Sequence, residues 1–355
     1  MLKENINRRA MKKIYALGKK RSIDLSLSEN PLGCSPVVFS ALKNMKINFN
    51  DYPTPNGRLL KKSLAKRFNL NENNLFIANG SESIILDIPR VFGNQKGEVI
   101  VPLLTFPMFK ICSNLAQKKV ISVGMGKDLE IDLSNISKLI SQKTEIVFLC
   151  NPNNPTGSIL EKKQIINLIR KSPKTVLFVV DEANIEFGGE SMIDKVKNIK
   201  NLLVLRTFSK GFGLANLRIG FAVGNQNLIF KLEEETPSFQ VSGLSELLAT
   251  EALKDDEFIK STQKFVLKER NILKTKLTEM GFKVFPSNAN NLFVKLPNSV
   301  DKNDFLMALE NKDISLVMGS SFEGFDDDFF RLSIRDEKTN RLFMQFINDI
   351  LEKYK

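Results

Sequence analysis

The sequence predicts an α/β protein, with a large domain on a mostly parallel sheet flanked by helices and a smaller α+β domain beside it. Three observations lead there. Short β-branched or aromatic apolar runs at residues 146–150, 176–180 and 202–205 read as strands buried on both faces, as in a parallel sheet. Amphipathic helical stretches alternate with strand-like runs through the first two thirds of the chain. After about residue 240 the texture changes to one long amphipathic helix followed by short strands.

In chain order, residues 57–68 (GRLLKKSLAKRF) carry apolar side chains at helical spacing with basic residues between them. Residues 75–78 form a short strand, followed by Asn79-Gly80-Ser81 and a helix over about 82–92 with Ser81 as its N-cap. Each central strand ends in a polar cluster: residues 151–157 (NPNNPTG), then Asp181-Glu182, then residues 206–211 (RTFSKG). Ligands of open α/β sheets sit beyond the carboxyl ends of the strands, so the three clusters are expected to share one pocket. Downstream come a helix over 257–280 stopped by Gly281, strands at 282–285 and 292–296, and a last helix over 336–353. The expected division is an N-terminal arm and small-domain segment (1–45), a large domain (46–244) and a small C-terminal domain (245–355).

Composition narrows the chemistry. None of the 355 residues is histidine, which excludes Ser-His-Asp and Cys-His catalysis and every histidine-containing zinc site. Acid-base work falls to Lys, Asp, Glu, Tyr or Cys. Cys34, Cys112 and Cys150 are too far apart for a metal knuckle or a redox pair, so a reduced, cytoplasmic chain without a metal is expected. The net charge of +12 is spread along the chain, densest in a basic N-terminal stretch from Lys3 to Arg21 that lacks the apolar core of a signal peptide. No nucleic-acid-binding motif accompanies it, and no apolar run approaches a membrane span, so neither nucleic acid nor membrane is an expected partner.

Asn154, Asp181 and Lys210 would meet at the strand ends. A lysine among cations, here Arg206 and Arg218, loses part of its preference for the charged form and becomes a Schiff-base nucleophile. A buried Asp181 needs a cationic partner, and a protonated pyridine nitrogen supplies one, as in pyridoxal 5′-phosphate. The phosphate of that cofactor would be caged by the backbone N–H groups of Ser81 and Glu82 at a helix start and by Ser209 with Arg218. Phe106 is a candidate for stacking on the ring. Taken singly, Lys210 reads as a surface lysine, Asn154 as a turn former and Gly80-Ser81 as a cap; Phe106 and Phe109 could be core residues.

Order and spacing decide. SLSENPLGCSP (26–36), YPTPNGRLLKKSLA (52–65), NGSESI (79–84), NPNNPTG (151–157), DEANIEF (181–187), RTFSKGFGLANLRIGF (206–221) and FRLSIR (330–335) run almost from end to end. With them the chain resembles fold-type I pyridoxal-phosphate enzymes of the histidinol-phosphate aminotransferase family, which also includes threonine-phosphate decarboxylases. The resemblance implies a seven-stranded sheet in the large domain and a homodimer. It implies that Lys210 carries the cofactor and shuttles protons, that Asp181 pairs with the ring nitrogen and that Asn154 bonds the ring hydroxyl. It further implies that Ser81, Glu82, Thr207, Ser209 and Arg218 hold the phosphate, with Tyr52 reaching it from the neighbouring subunit. Asn30 would lie over the substrate, and Arg331 or Arg335 would bind its carboxylate or phosphate; the alternation of the strand favours Arg331. Two positions depart from the family: Asn184 and Phe106 stand where it has Tyr, which changes reach and removes an ionisable group beside the ring.

The implied activity is transfer of an amino group, with glutamate the expected donor, to a small phosphorylated carbonyl compound such as imidazole-acetol phosphate. The alternative is decarboxylation of a phosphorylated amino acid, suggested by the run SSFEGFDDDFFRLSIRDEKTN (320–340), in which Arg335 follows Ser333-Ile334. The bond that breaks is the one held perpendicular to the ring, and anion placement sets that.

Overall fold

A computed structural model describes residues 21–94 and 96–353; the basic stretch from Lys3 to Lys20 lies outside them. The first strand, β1 (Ile23–Asp24), is followed by the central sheet: β2 (Leu75–Ala78), β3 (Glu98–Pro102), β4 (Lys119–Val123), β5 (Thr144–Cys150), β6 (Leu177–Asp181), β7 (Leu202–Thr207) and β8 (Gly220–Gly224). Its strand order is β2-β8-β7-β6-β5-β3-β4. All neighbours are parallel except β8, which is antiparallel to both β2 and β7.

The central strands are apolar throughout because both faces are covered. Val147 and Leu149 of β5, Phe178 and Val180 of β6 and Val204 of β7 face one core, while Ile146, Phe148, Leu177, Val179, Leu203 and Leu205 face the other. Helices Ser81–Val91 and Met108–Leu115 help close the second core through Ile84, Ile88, Phe109 and Cys112. Phe109 stacks on Phe148 with ring centroids 4.7 Å apart, so it is a core residue.

A further core forms on helix Asp256–Glu279 and a four-stranded sheet ordered β12-β13-β10-β9, made of β9 (Lys283–Val284), β10 (Asn291–Lys295), β12 (Val317–Met318) and β13 (Phe329–Ser333). The remaining strand, β11 (Ile314–Ser315), pairs in parallel with β1, so the N-terminal segment is tied to this part of the chain. Helix Glu337–Glu352 covers the same core with Phe343, Phe346 and Ile347. Among the described residues no helix is long and apolar enough to cross a membrane.

The expected elements lie within two residues of those observed, with two instructive differences. Ser81 is the first helical residue and Gly80 is the cap, at φ +81°, a conformation that favours glycine. Arg331 sits on β13 between β12 and β10, whereas Arg335 lies beyond the strand end and so outside the alternation expected to relate the two.

Candidate active site

Register builds the site. Cys150 lies opposite Asp181, Asp181 opposite Leu205, Thr207 opposite Gly220, and Gly220 opposite Ala78. Because β8 runs against its neighbours, its amino end shares this edge with the carboxyl ends of β2, β5, β6 and β7. The turns carrying Gly80-Ser81, Asn154, Asn184 and Lys210 therefore open on the same side of the sheet.

Period-2 alternation then sorts the side chains. Asp181 and Thr207 are in phase with one core. Arg206 and Glu182 are in phase with the other, which corrects the expectation that Arg206 stands beside Lys210. Its guanidinium pairs instead with Glu182 and Glu186.

At one end of the edge lies an anion cradle. Helix Ser81–Val91 points its first turn here, with Ser81 and Glu82 as its first residues, and such N–H groups lack intrahelical acceptors. The cradle is tight: a Cβ on Gly80 would fall 2.7 Å from Arg218 Nη2, and one on Gly220 would fall 2.4 Å from the Ser81 nitrogen. Thr207 Oγ1 donates to Ser209 Oγ at 3.0 Å and accepts from the Ser209 N–H at 3.1 Å. Arg218, at φ +49°, donates from Nη1 to Ser209 Oγ at 3.4 Å and to the Ala215 carbonyl at 3.1 Å.

Asp181 is 3% exposed and accepts the Ala183 N–H at 3.0 Å. Burial pushes its carboxyl up to about 7; that hydrogen bond and Lys210 pull it down, while Glu182 raises it. Lys210 is pushed down to about 8, first by burial and then by Arg331, with Arg218 adding and Glu29 and Asp181 opposing. A carboxylate that seeks a cation and an amine that sheds its proton thus share one cleft.

Arg331 is buried and donates from Nη1 to Asn154 Oδ1 at 2.7 Å, while its Nη2 bonds the Ser26 carbonyl. Arg335 Nη1 lies 2.6 Å from Glu29 Oε2. The Asn30 amide nitrogen donates to the Gly211 carbonyl at 2.8 Å and to Thr262 Oγ1 at 3.2 Å, and its oxygen accepts the Leu32 N–H, so it braces the turn after Lys210. Asn184 is buried, and its Oδ1 has no hydrogen-bond partner among the described residues. Phe106 is half-buried, edge-on to Phe109 at 5.7 Å. Tyr52 stands apart at 83% exposure, against Phe239 at 5.1 Å.

Sequence reasoning missed Glu29, whose charge reaches Lys210, and the Glu182–Arg206–Glu186 cluster. The signal for the cluster was present: two acidic residues four apart in DEANIEF and an arginine at the end of the next strand.

Residues 20–347 match the family "Aminotransferase class I and II". The chain belongs to that family. A curated relative, the histidinol-phosphate aminotransferase of Methanococcus aeolicus, is 32% identical over 343 residues, covering 95% of this chain and 92% of its own. The crystal structure of the Clostridium acetobutylicum histidinol-phosphate aminotransferase is 26% identical with a TM-score of 0.86, covering 93% of this chain and 99% of its own. The same fold is found in the Sinorhizobium meliloti histidinol-phosphate aminotransferase in complex with pyridoxal-5′-phosphate (21% identity, TM-score 0.86, 98% and 95% covered). It recurs in L-threonine-O-3-phosphate decarboxylase from Porphyromonas gingivalis (22%, 0.79, 93% and 99%).

This aminotransferase is pyridoxal-phosphate dependent, with the α/β architecture of fold type I. Its own residues fit the cofactor. The glycine-floored cradle at Gly80 and Gly220 suits a phosphate, the buried Asp181 suits a protonated ring nitrogen, and Asn184, whose Oδ1 has no hydrogen-bond partner among the described residues, adds a buried amide at the same edge. Bound there, the cofactor supplies an aldehyde and an electron sink.

Proposed function

We propose that this aminotransferase moves an amino group from an amino acid, glutamate being the expected donor, to a small phosphorylated carbonyl compound; its relatives named histidinol-phosphate aminotransferase support a phosphate-bearing substrate. The observation that carries the reading is the Asn154–Arg331 pair beside a lysine of lowered proton affinity. A buried guanidinium there is a carboxylate anchor, which holds the substrate's Cα within reach of the Lys210 amine.

In this reading Lys210 would hold the cofactor through its amine and, once the substrate's amino group has displaced it, the freed neutral amine would take up the proton from the substrate's Cα and give it back. Asp181 holds the proton on the ring nitrogen. Asn154, with its oxygen committed to Arg331, turns its amide nitrogen to the ring hydroxyl. Ser81, Glu82, Thr207, Ser209 and Arg218 bind the phosphate, Phe106 packs on the ring and Asn184 lies at its oxygen-bearing side. Tyr52, exposed in one chain, completes the cradle of a second copy in a homodimer, and the enzyme works in the cytoplasm. The proposed division is an N-terminal arm and small-domain segment in 1–45, of which 1–20 lie outside the described residues, a large domain of 46–244 and a small domain of 245–355, with Leu248, Ala249 and Ala252 of helix Gly243–Ala252 still packed in the large domain's core.

The decarboxylase alternative draws on Arg335 at Glu29, a second cation near the cleft, and on the fold shared with a threonine-phosphate decarboxylase. One assay separates the two: purified enzyme with cofactor is given glutamate plus imidazole-acetol phosphate, and separately phosphothreonine. 2-Oxoglutarate from the first supports the aminotransferase. CO2 from the second without 2-oxoglutarate from the first supports the decarboxylase.

A further inference from the structure

Behind the catalytic face, on the other side of β6 and β7, lies a buried ion cluster that the chemistry above does not use. Arg206 donates from Nη1 to Glu182 Oε2 at 3.1 Å and from Nη2 to Glu186 Oε1 at 2.7 Å. The three side chains are 11%, 0% and 5% exposed. Glu182 is held further by Ser191 Oγ at 2.7 Å and the Met192 N–H at 2.6 Å. Burying two carboxylates and a guanidinium is a poor route to stability, because apolar packing of similar volume does as well. The cluster is not even fully satisfied: Arg206 Nε and Glu186 Oε2 are buried without hydrogen-bond partners among the described residues.

Its neighbours explain its place. Glu182 follows Asp181, Glu186 lies two residues after Asn184, and Arg206 precedes Thr207. The stem of Glu186 packs on Gly211, the residue after Lys210, so closely that a Cβ on Gly211 would fall 2.5 Å from Glu186 Cβ and Cγ. The segments presenting Asp181, Asn184, Thr207 and Lys210 thus meet at a single guanidinium.

We propose that Arg206 is a positioning residue for the reaction, its fork fixing from behind the backbone that presents Asp181, Asn184 and Lys210 and offsetting the negative charge next to Asp181. This rests on the functional reading that puts Lys210 and Asp181 at the reacting atoms. The planar fork is the essential feature, since it satisfies two carboxylates from fixed directions and a lysine ammonium does not. The charged and titratable groups around the site are few. Asp181 feels the charge of Glu182, the next residue along the chain and on the opposite face, and it faces Cys150 from β5 and Lys210 from the turn after β7, while Lys210 faces Arg331, Arg218, Glu29 and Asp181. A change of charge in the cluster therefore reaches Asp181 through Glu182.

The test uses the holoenzyme and two readouts: the pH titration of the bound cofactor's absorbance, and kcat and KM of the glutamate reaction. Arg206→Met makes the cluster more negative and shifts the titration up, whereas Glu182→Gln makes it less negative and shifts it down, each by about half a pH unit. Arg206→Lys keeps the charge and loses the fork, so its titration stays near wild type while kcat falls about tenfold and KM changes less than twofold. If Arg206→Met does not fold, Glu182→Gln and Arg206→Lys still decide. Wild-type titration and kcat in both, with only a lower melting temperature, would overturn the proposal. If wild-type cofactor titrates but no amino donor alters its spectrum, the functional reading fails, and the sign of the titration shifts alone judges Arg206.

Discussion

Replacing Arg331 with Gln should slow the capture of cofactor by raising the proton affinity of Lys210. Only the neutral amine attacks an aldehyde. With Lys210 at about 8, roughly a quarter of it is neutral at pH 7.5, against about one part in a thousand at the ordinary lysine value. Burial is the largest cause of that shift and Arg331 the next. Loss of the Arg331 charge should return about one pH unit, leaving roughly one part in thirty neutral at pH 7.5 and an association rate about eightfold lower. The assay is stopped-flow absorbance of pyridoxal phosphate mixed with cofactor-free protein across pH 6 to 10. The wild-type rate should rise with a midpoint near pH 8 and the variant's with a midpoint about one unit higher. A wild-type midpoint at the ordinary lysine value, or an identical midpoint in the variant, would refute the reasoning.

Three more outcomes follow from the same geometry. Asp181 sits at about 7, so the folded chain binds more protons than the unfolded one between the ordinary aspartate range and 7, and its contribution to cofactor-free stability falls as pH rises through that window. Asp181→Asn should therefore stabilise cofactor-free protein at pH 8 by about 1–3 kcal/mol in thermal or urea unfolding, while cutting turnover by at least about a hundredfold. Gly80→Ala forces an unfavourable φ and pushes against Arg218 Nη2, a strain of about 1–3 kcal/mol, so the cofactor Kd measured by equilibrium dialysis should rise about tenfold or more; an unchanged Kd would remove the cradle from the account. Inactive Tyr52→Ala and Lys210→Ala enzymes, mixed so that subunits exchange, should recover about a quarter of wild-type activity, since half the dimers then hold one intact site; no recovery would place Tyr52 outside the partner's site.

The fold was legible in the sequence where two-sided burial coincided with a run of β-branched or aromatic residues leading into a polar turn. The runs at β5, β6 and β7 are apolar on both faces, so no helical or one-sided pattern competes with them. Strands β3, β4 and β8 escaped detection: β4 is partly exposed, and β8 is a five-residue stretch with glycine at both ends, whose place depends on pairing with β2 and β7. The site was legible as a set of turns at strand ends, because the chemistry of Lys210, Asp181 and Asn154 is carried by residue type and spacing. What was not legible was orientation. Arg206 and Thr207 are neighbours in sequence, and only strand alternation sends one behind the sheet and the other into the site. The Asn30 amide hydrogens go to Gly211 and Thr262, partners far away in the chain.

The central claim is that Lys210 and Asp181 carry out amino transfer at this strand edge. Its most direct test is the absorption spectrum of the cofactor-loaded enzyme before and after glutamate is added alone, with Lys210→Ala as control. The account predicts conversion of the pyridoxal band to the pyridoxamine band with one equivalent of 2-oxoglutarate, and no conversion in the control on the same timescale. A Lys210-dependent pyridoxal band that glutamate leaves untouched, with CO2 released from phosphothreonine, would contradict it.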